Sequence, residues 1–181
     1  MRINLIPVEI KNHSLIAFIR KKLVLIFNSE ILIDDIDLDL SRFLNESRNQ
    51  YYSTEIISSV IPLAEKLQGK VLLLVDVDLF VPVFTYLFGE AQLNGKLSIV
   101  STFRLYEEFY TGRTNDKLFF NRVLKEVLHE LGHNFGLIHC EDWNCVMHSS
   151  AGIEEVDIKG EFYCKKCEPV VNRHLNNSRK K

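Results

Sequence analysis

The 181-residue chain is short of several things. It has no long apolar run: Val71–Val75 and Leu23–Phe27, among the longest, reach about a quarter of the roughly 20 residues a membrane span needs. Its first residues, Met1–Ser14, hold no extended apolar segment and no small-residue cleavage site, which excludes the reading of a secretory signal. Neither sign of charge dominates, with Lys and Arg at 22 against Asp and Glu at 24, so there is no basic field of the kind a dedicated nucleic-acid binder carries. Internal repeats and low-complexity stretches are lacking, which sets aside solenoids and flexible linkers. Hydrophobic residues at 46% and charged residues at 25% are ordinary for a packed globular chain and exclude disorder. A chain of this length buries a core without disulfides. The expectation is one soluble cytoplasmic unit with no membrane or nucleic-acid partner; the oligomeric state is not legible.

Cysteine is absent from the first 139 residues and then crowds. Cys140, Cys145, Cys164 and Cys167 lie in the last quarter, with His129, His133 and His139 just before or beside them. Residues 1–136 are therefore expected to be scaffold plus an active-site helix, and residues 137–181 a small C-terminal lobe of the same compact unit. The tail, Asn176–Lys181, is expected to fray, and a phosphate-binding role for it is the lesser reading.

Periodicity gives a coarse map. Arg2–Val8 reads as a strand. Ser14 can cap a helix with Leu15, Ile16, Phe18, Ile19 and Leu23 on one face. Leu23–Phe27 could continue that helix or begin a strand, with strand preferred, and residues 35–40, which alternate strictly between Asp and an aliphatic residue, read as a strand. Ile56, Ile57, Val60, Ile61, Ala64 and Leu67 mark a helix that Gly69 stops and that Pro62 should kink. Val71–Val77 reads as a buried, parallel strand, Leu97–Phe103 as another, and Thr85–Ala91 as an edge strand interrupted by Gly89. Asp116–His133 is the clearest helix, with Phe120, Val123, Leu124, Val127, Leu128 and Leu131 on its apolar face. Strands alternating with helices indicate an α/β layered domain.

That last helix ends in His129-Glu130-Leu131-Gly132-His133. Residues four apart share a helix face, so both imidazoles can reach one metal ion. Glu130 is rotated off that line and can stand beside the metal as a base for its water. Gly136 allows a sharp turn, and His139 returns as a third nitrogen donor. Three neutral nitrogens with an open fourth position describe catalytic rather than structural zinc. The five fixed positions of His129-Glu130-x-x-His133-x-x-Gly136-x-x-His139 arise by chance on the order of once in 10^5 chains of this length. With a following methionine turn, here Met147, the string is the metzincin signature.

Cys140-x4-Cys145 and Cys164-x2-Cys167 form two close pairs whose four thiolates can close a tetrahedral zinc site. Two disulfides, or a redox Cys164–Cys167 pair, are the alternatives. Shared backbone suggests that a four-thiolate zinc would clamp the segment presenting His139 and Met147. Asp35, Asp37 and Asp39 resemble the start of a calcium loop, but Leu40 stands where Gly is required. Tyr163 and His148 are minor candidates for stabilising an oxyanion, and Asp157 for a turn or a supporting contact.

At these residues the chain resembles the archaemetzincins. The three-histidine string runs straight into Cys140, Cys145 and Met147, and Cys164-Lys165-Lys166-Cys167 closes the pattern. Asp76–Pro82 and Phe88–Ala91 also look like this family, so the resemblance covers roughly residues 70–170. It implies a zincin- or metzincin-like α/β (α+β) fold: a mixed twisted sheet, an edge strand over the active-site helix and a small zinc-stapled C-terminal lobe. It further implies two Zn2+ per chain: a catalytic ion on His129, His133 and His139, and a structural ion on Cys140, Cys145, Cys164 and Cys167. The expected function is a zinc metallopeptidase acting on peptide or protein substrates with Glu130 as general base; the alternative is a peptide-binding protein on the same fold with weak or gated turnover.

Overall fold

The computed structural model describes residues 1–10 and 12–177. Residues 178–181 of the tail lie outside the described residues. Among the described residues, five strands form one sheet in the order β2-β1-β5-β8-β7. These are β1 (Arg2–Val8), β2 (Glu30–Ile33), β5 (Lys70–Val75), β7 (Gly89–Ala91) and β8 (Leu97–Ser101). β2, β1, β5 and β8 run parallel to one another, and β7 closes the edge antiparallel to β8. A smaller sheet joins β3 (Leu44–Asn45), β4 (Gln50–Tyr52) and β6 (Leu79–Phe80).

The apolar strands are buried on both faces because helices cover both. On β5, Leu72 and Leu74 enter the core shared with α1 (His13–Phe27) and α4 (Asp116–Asn134). Val71, Leu73 and Val75 face α2 (Ser53–Lys66) and its apolar stripe Ile56, Ile57, Val60 and Ala64. The first core also takes in the chain beyond residue 137: Cys145, Val146, Met147, then Ile153 and Val156 of α5 (Ile153–Ile158), then Val171 and Leu175 of α6 (Glu168–Asn177). A short α3 (Glu108–Thr111) precedes α4.

Several local expectations are corrected. Leu23–Phe27 is not a strand. Leu23 and Phe27 continue the buried stripe of Leu15, Ile16 and Ile19, while Val24, Leu25 and Ile26 stay exposed; exposed aliphatics on a helix imitate a strand run. The cap of α1 is Asn12, whose side chain accepts from the Leu15 N–H, rather than Ser14. Residues 35–40 alternate in burial as expected, with Ile36 and Leu38 packed inward, yet they find no ladder partner. Asp39 instead caps a 3-10 turn at Leu40–Phe43. β8 stops at Ser101 because Phe103 opens another 3-10 turn. β5 stops at Val75, before Asp76, whose carboxylate accepts from the Thr102 hydroxyl. The edge strand pairs with β8 over Gly89–Ala91, and Leu87 before it makes a single antiparallel bridge to Leu79. Pro62 lies inside α2 rather than at its start.

Candidate metal centre and active-site cleft

α4 is capped by Asn115, whose side chain accepts from the Leu118 N–H, and it lies under β8 and β7. Its far end is fixed from three directions. Asn134 Nδ2 donates to the Gln92 and Leu97 carbonyls at 3.1 and 3.0 Å. The Asn94 N–H donates to the His133 carbonyl, and Lys70 Nζ to the Asn134 carbonyl at 2.7 Å. Gly136 adopts φ +89°. It places the Leu137 N–H on the Gly132 carbonyl and the Gly136 N–H on that of His133, a Schellman stop that only a residue tolerant of positive φ makes without strain.

The stop returns the chain so that His139 meets the helix pair. Ring centroids of His129, His133 and His139 are 4.7, 5.3 and 5.0 Å apart, and one donor nitrogen from each lies within 4.8 Å of the others. His129 Nδ1 is 2.8 Å from the Val146 carbonyl, and His133 Nδ1 is 2.8 Å from that of Leu137. A carbonyl can only accept, so each Nδ1 carries its ring's proton. Burial holds all three imidazoles below their ordinary pKa, so the neutral form is favoured. Both Nε2 atoms then turn bare lone pairs toward one another at 3.1 Å. Two lone pairs at that distance repel, and a cation between them removes the conflict. The donor set fits zinc.

Glu130 is buried beside this cluster under the edge strand. Its carboxylate fits only because residue 89 is glycine: a Cβ there would stand 2.7 Å from Glu130 Oε1. Burial, reinforced by Glu126, pushes its pKa well above the usual carboxylate range, and Lys159 opposes the shift. Below the imidazoles, Met147 is fully buried, and its sulfur occupies the space that a side chain at Gly132 would take. The methionine turn is tied to both sides of the cluster, since the Val146 carbonyl accepts from His129 and the Met147 carbonyl from the Cys140 N–H.

Cys140, Cys145, Cys164 and Cys167 form the second cluster, their sulfurs all within 4.8 Å of one another. None is in a disulfide. Cys140 and Cys164 Sγ are 3.8 Å apart, and the Cys164 N–H reaches Cys145 Sγ at 3.4 Å. Burial opposes the Cys164 thiolate, but the Cys167 and Lys166 N–H groups, together with the Cys145 and Cys140 thiols, outweigh it and bring the pKa to about 7. Main-chain N–H groups turned on sulfur, with three further thiols around it, suit a thiophilic cation.

The cleft in front of the imidazoles has a volume of about 660 Å³. Its upper wall is segment 84–91, its floor is α4, and its far wall is segment 149–151. In β7, the Phe88 carbonyl and the Gln92 N–H bond inward to β8. The alternation of an antiparallel ladder therefore leaves the main-chain groups of Gly89 and Ala91 turned outward.

Every residue selected from the sequence as a metal ligand falls in one of the two clusters. The oxyanion candidates do not reach the cleft wall. Tyr163 donates its hydroxyl to the Leu128 carbonyl at 2.6 Å beneath the helix, and His148 Nδ1 meets the Cys140 carbonyl while its ring lies 4.1 Å from Trp143. Asp157 forms a two-point ion pair with Arg122. Sequence reasoning overlooked Glu126, Ser150 and Lys159. Spacing offered one signal: Glu126 stands one turn before Glu130 on the same helix face.

Comparison with known proteins agrees with this architecture. Peptidase family M54 matches residues 30–173. The archaemetzincin of Methanocaldococcus jannaschii is 40% identical over 167 residues, 92% of this chain and 90% of that protein. The crystal structure of Archaeoglobus fulgidus archaemetzincin complexed with malonate superposes with a TM-score of 0.79 at 32% identity, covering 94% of this chain and 99% of that one. A zinc-dependent peptidase from Methanocorpusculum labreanum gives a TM-score of 0.84 at 25% identity, covering 94% and 100%. The class so defined is that of metzincin-like zinc metallopeptidases. Within it, the chain belongs to peptidase family M54, the archaemetzincins. Among the described residues no helix is long and apolar enough to cross a membrane.

Proposed function

We propose that the chain hydrolyses peptide bonds in the cleft above α4, with His129, His133 and His139 holding one zinc ion and Cys140, Cys145, Cys164 and Cys167 a second, structural one. The observation that carries this reading is the pair of Nε2 atoms at 3.1 Å, both deprotonated by the hydrogen bonds on the opposite side of each ring. When held by these three imidazoles, zinc would supply Lewis acidity, enough to lower the pKa of water to about 7 and to polarise a carbonyl.

The protein's own groups do the rest. Glu130 stands beside the imidazoles and takes the proton of the attacking water, then delivers it to the departing amine. Its burial beside the imidazoles keeps the carboxylate out of bulk water and in place for both transfers. The outward main-chain groups of Gly89 and Ala91 receive an extended peptide by strand addition and align its amide over the helix. The chain from residue 137 onward acts as a brace. Its sulfur cluster holds Cys140, next to His139, and Cys145, two residues before Met147.

The test is Glu130→Gln. Peptide hydrolysis is expected to fall by about 10^2–10^4 while zinc content is unchanged. Undiminished hydrolysis in this variant would remove Glu130 from the chemistry, and absence of hydrolysis in the wild type across a broad peptide library would favour a binding role.

A further inference from the structure

On the far side of Glu130 the cleft carries polar groups that the hydrolytic reading leaves idle. Glu126 lines its floor and Ser150 its far wall. Ser150 Oγ is buried without a hydrogen bond, and Glu126 Oε1 is buried with the Lys159 ammonium as its partner. Behind Glu126, Lys159 Nζ approaches Oε1 to 2.8 Å as an ion pair without hydrogen-bond alignment, the two side chains 1% and 4% exposed. Lys159 also reaches the His148 carbonyl at 3.4 Å, which ties the pair to the methionine turn. Buried hydrogen-bonding groups left unpaired are uncommon and costly, so the Ser150 hydroxyl, in the same cleft as an ion-paired carboxylate, suggests a partner that arrives with the substrate.

We propose that Glu126 and Ser150, with Lys159 behind them, form a subsite for a neutral, hydrogen-bond-donating side chain, an amide or a hydroxyl, on the substrate residue next to the scissile bond. The proposal rests on the peptidase reading. Charge selects the class. Lys159 already balances Glu126, so a cationic side chain would bring an unbalanced charge close to the Lys159 ammonium. A carboxylate would face Glu126 with Glu130 one helical turn away. An aliphatic side chain leaves the Ser150 hydroxyl without a partner, and a site built to hydrogen-bond discriminates against the analogue that cannot. Asn, Gln, Ser or Thr brings the donor without the charge.

The experiment uses the full-length, zinc-loaded protein and peptide hydroxamates that differ only in the side chain beside the zinc-binding group, with affinity read by calorimetry. The Asn member is expected to bind at least about tenfold more tightly than its isostere Leu, with Lys and Glu members both weaker than Asn. Ser150→Ala should narrow the Asn-to-Leu ratio, and Glu126→Leu with Lys159→Met should reverse it. A Leu member that binds the wild type as well as Asn, or a ratio unmoved by Ser150→Ala, overturns the subsite while leaving the peptidase reading standing. Failure of every hydroxamate to bind overturns the peptidase reading and the subsite with it.

Discussion

The three imidazoles are held by two different kinds of structure. His129 and His133 ride on a 19-residue helix whose cap, apolar face and Schellman stop are all satisfied by protein groups. His139 sits on a loop, exposed, with its position set by Cys140, the methionine turn and the sulfur cluster on its C-terminal side. A helix in a packed core is rigid through many small contacts. A loop of this kind needs a local staple, and four thiols around one point supply the place for it. The same division separates the cleft walls, with α4 and β7 belonging to the layered core and segment 149–151 to the braced chain beyond.

Breaking the staple should therefore have the largest effect. Cys164→Ser is expected to cost more than about 4 kcal/mol, the range associated with loss of a structural metal, read as a fall in the thermal midpoint. It should also weaken binding at the histidine site at least about tenfold, equivalent to roughly 1.4 kcal/mol, because His139 loses its brace; unchanged affinity would separate the two sites. A smaller effect is expected where the two regions touch. In Gly132→Ala the new Cβ would lie 2.2 Å from Met147 Sδ, so the methionine must move, at a cost of about 1–3 kcal/mol by denaturant titration. The smallest effect sharpens the contrast from the helix side. Tyr163→Phe removes one donor from the Leu128 carbonyl and should cost about 1 kcal/mol with hydrolysis retained, since the helix holds its histidines through many other contacts.

Legibility in the sequence divides along the same line. α4 and its histidines were readable because apolar spacing, a terminal glycine and metal-ligand spacing all coincide within 24 residues, 116–139. The thiol cluster was readable because cysteine occurs nowhere else. The features that escaped depend on contacts distant in sequence. Lys159 comes after Glu154, Glu155 and Asp157 and looks like part of a solvated face, yet it is 1% exposed because Glu126, 33 residues earlier, receives it. Residues 35–40 have the alternation of a strand but no neighbour to pair with, and pairing is a property of the whole sheet. Leu23–Phe27 misled because its exposed aliphatics hide the helical stripe. Gly89 read as a flaw in an edge strand, and only the packed structure shows that the missing side chain makes room for the Glu130 carboxylate.

Metal analysis of the purified full-length protein tests the central claim most directly. The account predicts two zinc ions per chain, one lost in His129→Ala and the other in Cys164→Ser. One zinc or none in the wild type, at saturating zinc and with all four thiols reduced, would contradict it.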